Sequence, residues 1–262
     1  MTALTNEEDS RWKLLRATTP ARIGLRRSGS SIATRELLAF QLAHAEARDA
    51  VEEALDPDIL LVGLRERGLN ALLLRSSASD HHAYLARPDL GRKLDNDSLE
   101  RLGTAARGYD FVFVIADGLS ARAITRHALP LIDQTLPKLT REHWNIGPIV
   151  VVQQGRVAIG DQIGSILDAA LVAVLIGERP GLTSPDSLGV YLTWKPIVGK
   201  TDAERNCLSN IRREGLSYTE AAQRIFHLCS EAMRRKCTGV ALKDETVISS
   251  PALTAIGHKD TP

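Results

Sequence analysis

The sequence predicts an α/β fold: a Rossmann-like, mostly parallel sheet with flanking helices, preceded by a smaller helical N-terminal domain. Three observations carry this. Continuous β-favouring apolar runs occupy residues 109–116, 147–152 and 170–176, and a run without alternation is how a strand covered on both faces reads. Helix-like stretches separate these runs, the grammar of strands joined by crossovers. Before residue 92 the pattern is different, with apolar residues at spacings of three and four. The boundary is placed at Arg87-Pro88-Asp89-Leu90-Gly91, which gives a helical domain over 1–92 and a Rossmann-like domain over 93–262.

From Thr34, the residues Leu37, Leu38, Leu42, Ala45, Val51 and Leu55 form an apolar stripe with charges opposite, an amphipathic helix. Asp56-Pro57 then supplies an N-cap and a pre-set φ for a second helix to Glu66, which Gly68 stops. Residues 71–74 are a short apolar run in an otherwise irregular stretch. Past the boundary, the first strand (109–116) breaks at Asp117-Gly118-Leu119-Ser120, and a helix over 121–139 is expected to bend at Pro130. A second strand covers 147–152, and Asp161 is placed as the cap of a short helix ending at Leu167. The third strand (170–176) ends in Gly177-Glu178-Arg179-Pro180-Gly181, a fourth spans 189–194, and a helix over 219–236 closes the chain. Residues 202–211, dense in polar groups, read as a solvated crossover between the fourth strand and that helix.

Composition excludes several functions. Among 262 residues, 33 basic side chains against 32 acidic ones give a net charge of +1, so no global field gathers nucleic acid or an acidic membrane. An aromatic content of 4% supplies few platforms for single-stranded bases. The longest apolar run, Ala169 to Ile176, is far short of the roughly 20 residues that span a bilayer, so no membrane partner is expected. Thr5-Asn6-Glu7-Glu8-Asp9 is acidic where a secretory signal needs a basic start, which places the chain in the cytoplasm. Cys207, Cys229 and Cys237 are odd in number and have no C-x-x-C spacing, which fits free thiols rather than disulfides or a metal site.

In open parallel sheets ligands lie beyond the carboxyl ends of the strands. Three loops occupy such positions: 117–120, 154–161 and 177–181. Each is also readable as a plain tight turn with a helix cap, and their convergence is what favours a site. The familiar motifs fail. Gly199-Lys200-Thr201 lacks the preceding P-loop glycine, which is Trp194 here, and no G-x-G-x-x-G follows a strand. Asp80-His81-His82 has Leu85 where a cobalamin-binding D-x-H-x-x-G loop needs glycine. Ser120 lies in no nucleophile elbow, and His127 along the same helix is not enough for a triad. Cys207, among the polar residues 202–211, has two readings: a rim position for an amide-bearing ligand, or a thiolate activated beside Arg205.

Several segments, taken together and in order, resemble the small (light) subunit of ethanolamine ammonia-lyase. They are Arg87-Pro88-Asp89-Leu90-Gly91-Arg92, Asp117-Gly118-Leu119-Ser120, Gly155-Arg156-Val157, Asp161-Gln162-Ile163-Gly164, Gly177-Glu178-Arg179-Pro180-Gly181-Leu182 and Cys207-Leu208-Ser209-Asn210-Ile211. The resemblance runs from about residue 20 to about residue 240. It implies an ammonia-lyase, active only with a large (β/α)8-barrel subunit, that converts ethanolamine to acetaldehyde and ammonia with adenosylcobalamin bound base-on. It also implies that the cobalamin contacts fall on Val157, Glu178 and Cys207. In that reading Val157 gives apolar contact, Glu178 meets the corrin amides, and Cys207 fills space; Asp117, Ser120 and Asn210 are neighbours. No catalytic residue and no protein ligand to cobalt is implied for this chain. Packaging in a bacterial microcompartment is an associated expectation, and the short stretch before the match leaves it open. Two rival readings remain at this point: an independent nucleotide-dependent enzyme, and a non-enzymatic assembly protein.

Overall fold

The computed structural model describes residues 6–246; the outermost parts of the two expected domains, 1–5 and 247–262, lie outside them. The N-terminal part contains α1 (Asn6–Ala17), a small hairpin of β1 (Arg27–Ser28) and β2 (Ser31–Ile32), α2 (Thr34–Glu52) and α3 (Pro57–Glu66). There follow β3 (Ala71–Arg75), α4 (His81–Ala86), α5 (Asn96–Gly103), β4 (Phe111–Ala116), α6 (Ala121–Arg141), β5 (Ile149–Gln153), α7 (Ile159–Ile166) and β6 (Leu171–Gly177). The last elements are β7 (Leu188–Trp194), β8 (Arg205–Ile211) and α8 (Tyr218–Arg235). Among the described residues no helix is long and apolar enough to cross a membrane.

Six strands form one mixed sheet in the order β3-β5-β4-β6-β7-β8. The first four are mutually parallel, while β7 runs antiparallel to β6 and β8 antiparallel to β7. The α/β class and the mostly parallel sheet are therefore as expected. Three elements differ. The short apolar run before the expected boundary is the edge strand β3, hydrogen-bonded to β5 in register from Ala71 with Ile149 to Arg75 with Gln153. The fourth expected strand returns from β6 through the loop 178–187 rather than through a crossover helix, which is why it is antiparallel. The expected crossover at 202–211 is mainly the strand β8.

The all-apolar strands split their side chains between two layers. Phe111, Phe113 and Ile115 of β4 face α3, α6 and α8, while Val112, Val114 and Ala116 face α5 and α7. On β7, Leu188, Val190 and Leu192 join the α6/α8 layer, as do Leu208 and Ile211 of β8. The helices begin where capping chemistry lets them. Asp56 accepts from Asp58 N, Asp80 from Ala83 N, Asp95 from Ser98 N and Ser120 from Ala123 N, and Ser217 with Glu220 makes a capping box for α8. Each cap contributes about 1 kcal/mol.

Helix α2 forms where the periodicity predicts it, and its stripe ends at Leu55 in the core, but the N-terminal part of the stripe is not packed into the body. Only Ala43 and Ala50 are buried along it, and Leu37, Leu38, Phe40 and Leu42 are exposed. Helix α6 continues through Pro130 and Pro137 to Arg141.

Candidate functional site

The three loops picked from sequence do converge, and Asp117 holds them together. Its carboxylate accepts backbone N–H groups from Gln154 (2.7 Å), Gly155 (3.0 Å) and Gly118 (3.0 Å), tying the end of β4 to the end of β5. Leu119 N donates to Gly177 O at 3.0 Å, tying β4 to the end of β6. The approach there is close enough to require glycine: a Cβ on Gly177 would lie 2.1 Å from Ser120 O. Burial pushes the Asp117 carboxyl up to about 6, and the three N–H donors oppose that rise. Asp117 and Ser120 are both buried and used internally, Ser120 Oγ donating to Pro185 O while its oxygen caps α6. His127 does not pair with Ser120; its Nδ1 lies 2.7 Å from Tyr218 Oη.

The Arg87–Arg92 segment docks against the loop that carries Val157. Arg156 N donates to Gly91 O at 2.7 Å, and its guanidinium lies 4.1 Å over the Tyr84 ring while donating to Tyr84 O. A Cβ on Gly91 would meet Arg156 and the Gln154 carbonyl, so the two segments touch backbone to backbone. Next to this junction opens a cleft of about 710 Å³, lined on one side by Pro88, Arg92 and Val157 and on the other by Tyr191, Lys200 and Thr201. Val157 is half-buried in its wall.

Tyr191 continues this surface onto the outer face of β7 and β8. It is the register partner of Cys207, which is exposed on β8. Cys207 is thus on an edge strand, not in the expected loop. Glu178 lies over the same face: its carboxylate would be 3.0 Å from a Cβ placed on Gly189, and it accepts from Ser187 Oγ, from Ser209 Oγ and from Asn210 N (3.2 Å). Asn210 itself has φ of 59°, a left-handed conformation at the bulge where the β7–β8 register shifts. Val157, Glu178 and Cys207 therefore border one continuous surface, with Tyr191 joining the cleft to the open sheet face.

Electrostatics argue against an activated Cys207. Desolvation raises its thiol above the ordinary value, and the nearby Glu178 and Asp202 carboxylates push the same way, against a hydrogen bond with Tyr191. The Arg205 guanidinium is engaged elsewhere. It forms a buried bidentate pair with Asp161, Nη1 to Oδ1 at 2.6 Å and Nη2 to Oδ2 at 2.7 Å. The sequence predicts Asp161 as a helix cap; α7 instead begins at Ile159, and Asp161 turns inward from its first turn. Sequence reasoning missed this pair and Tyr191. Alternation of Tyr191 with the apolar residues of β7 was the available signal for the latter; nothing in the spacing joins residues 161 and 205.

Comparison with known proteins agrees with the segments singled out. The family described as "Ethanolamine ammonia-lyase light chain (EutC)" matches residues 9–243. The chain is 54% identical over 243 residues to the ethanolamine ammonia-lyase small subunit of Pseudomonas aeruginosa, covering 91% of this chain and 89% of that one. It is 54% identical over 249 residues to the protein of the same name from Xanthomonas campestris pv. campestris, covering 94% and 92%. The corresponding Azotobacter vinelandii protein is 54% identical over 242 residues, with 91% and 90% covered.

Proposed function

The chain belongs to the ethanolamine ammonia-lyase light-chain family, and from that membership we propose that it is the small subunit of an adenosylcobalamin-dependent ethanolamine ammonia-lyase. The enzyme converts ethanolamine to acetaldehyde and ammonia. In this reading the chain walls one side of a base-on corrin, and a large (β/α)8-barrel subunit walls the other and holds the substrate. The bound cofactor supplies the radical chemistry. This chain's residues bind, orient and exclude water, and none of them is assigned a catalytic role. The complex is placed in the cytoplasm or in a bacterial microcompartment.

The observation that carries the reading is the continuous surface from the Val157 cleft across Tyr191 to Cys207 and Glu178. A corrin presents a broad apolar ring fringed with carboxamides, which need both donors and acceptors. The surface offers both kinds of contact. Val157, Tyr191 and Val198 give apolar area, while Thr201, Asp202, Arg92 and Lys200 give polar groups around it. The ligand is larger than the cleft, so a second chain is needed to enclose it. Glu178 spends most of its acceptor capacity on Ser187, Ser209 and Asn210, which makes it chiefly the brace of the β8 end of the surface.

The test is reconstitution with the large subunit. Acetaldehyde should form from ethanolamine only when both chains and adenosylcobalamin are present. In the assembled complex, Val157→Asp places an unpaired carboxylate in the cleft and should raise the Kd for hydroxocobalamin at least about tenfold. An unchanged Kd would remove the cleft from the cofactor site.

A further inference from the structure

We propose that the Asp161–Arg205 pair is a positioning clamp that fixes the distance between the two walls of the cleft, and so between Val157 and Cys207. The inference rests on the reading of that cleft as part of the corrin site. Asp161 lies four residues beyond Val157, on α7, and Arg205 two residues before Cys207, on β8. Helix α7 packs on β6, and β8 is two strands further along the sheet. The pair crosses that gap at the bottom of the cleft, where both residues are among its lining.

The geometry is that of a gauge rather than a simple attraction. Each carboxylate oxygen accepts from one terminal guanidinium nitrogen, and a two-point fork fixes angle as well as separation. The same guanidinium also donates to Thr193 Oγ1 of β7 and to Lys200 O, each at 2.9 Å, so α7, β7, β8 and the 195–204 segment meet at one group. The two side chains are 1% and 2% exposed. A buried ion pair rarely stabilises a fold more than a well-packed apolar pair would, because removing both charges from water offsets their attraction. Cohesion alone therefore does not account for placing it here, under two positions assigned to cofactor contact. Packing explains its burial; orientation of the cleft walls explains its charge.

The test uses the complex co-expressed with the large subunit, with hydroxocobalamin Kd, thermal midpoint and subunit ratio measured for each variant. Asp161→Asn and Arg205→Lys break the fork while keeping size, and each should raise Kd about tenfold, the scale of one lost charge-assisted hydrogen bond. The paired variant Asp161→Leu with Arg205→Met replaces the clamp by apolar packing; it should recover the thermal midpoint of the complex and leave Kd raised. Recovery of both quantities would overturn the proposal, because the pair would then be cohesive only. Wild-type Kd in Asp161→Asn and Arg205→Lys would also overturn it. In that event Val157→Asp separates the causes: a raised Kd there leaves the cleft reading standing without the clamp, and an unchanged one removes both. If every clamp variant fails to assemble, the pair is a requirement of folding and the proposal is overturned.

Discussion

Tyr191 and Cys207 stand opposite one another on the β7–β8 ladder, with the thiol raised above its ordinary value by desolvation of its sulfur and by the Glu178 and Asp202 carboxylates. Alkylation by iodoacetamide at pH near 8, read site by site by mass spectrometry, should be slower at Cys207 than at an unperturbed thiol of pKa about 8.5. Cys207→Ala should retain turnover in the reconstituted enzyme within about threefold, because removing one small soft side chain from a contact surface costs less than about 1 kcal/mol. A loss of several orders of magnitude would make the thiol a reactant.

Glu178 braces the end of β8 through Ser209 and Asn210. Glu178→Ala leaves these donors without their acceptor and should weaken cobalamin binding about tenfold in the complex, the size of a lost charge-assisted hydrogen bond. Ser209→Ala removes one donor and leaves the others, so a smaller rise in Kd is expected. Equilibrium dialysis with hydroxocobalamin checks both, and wild-type binding in Glu178→Ala would remove its assigned role.

Asp117 gives a pH dependence of definite sign. Its carboxyl rises from 3.8 to about 6 on folding, so the folded chain holds a proton that the unfolded chain has released across this interval. Its contribution to stability is fully present below the lower value and is lost as pH climbs through the upper one. Urea unfolding of wild type and Asp117→Asn from about pH 4 to about pH 7 should show a stability difference that changes over that range and then levels off. The amide also turns an NH2 toward backbone N–H groups, so a loss of about 1–3 kcal/mol is expected at neutral pH. A pH-independent difference between the two proteins would refute the shift.

Gly177→Ala drives a methyl into the Ser120 and Asp117 carbonyls, with the nearest contact at 2.1 Å. These atoms are backbone of the loop that the site is built on and have no flexible end to move aside. The variant should lose more than about 3 kcal/mol of stability, read as a lowered urea midpoint or as loss of soluble chain. Gly103→Ala, where a Cβ meets nothing within 4 Å, is the matched control and should stay near wild type.

The parts legible in the sequence were those whose pattern has one meaning. β4 and β6 are buried on both faces, so every residue is apolar and the run announces itself. The loops after β4, β5 and β6 were legible for the same reason: each begins where such a run stops. β8 was hidden by its position at the sheet edge. One face is open and polar, and the register shift places its inward residues Leu208 and Ile211 three apart instead of two, which destroys the alternation that marks a strand. β3 was short and partly exposed, so its apolar run did not identify a strand. Asp161 followed the rule that an acidic residue before an apolar helix caps it; the partner that pulls it inward is far away in sequence, and no local rule reaches that distance. The apolar stripe of α2 does mark a helix, but periodicity reports the face and not what covers it.

Strands β7 and β8 have a division of labour that follows from their hairpin-like return. Val190, Leu192 and Leu208 hold α6 and α8 from within, while Tyr191, Cys207 and Ser209 look the other way, on the side that a crossover helix would have roofed. Evolution can consequently retune this outer surface by editing alternate letters of two neighbouring words, with the grammar of the interior left intact.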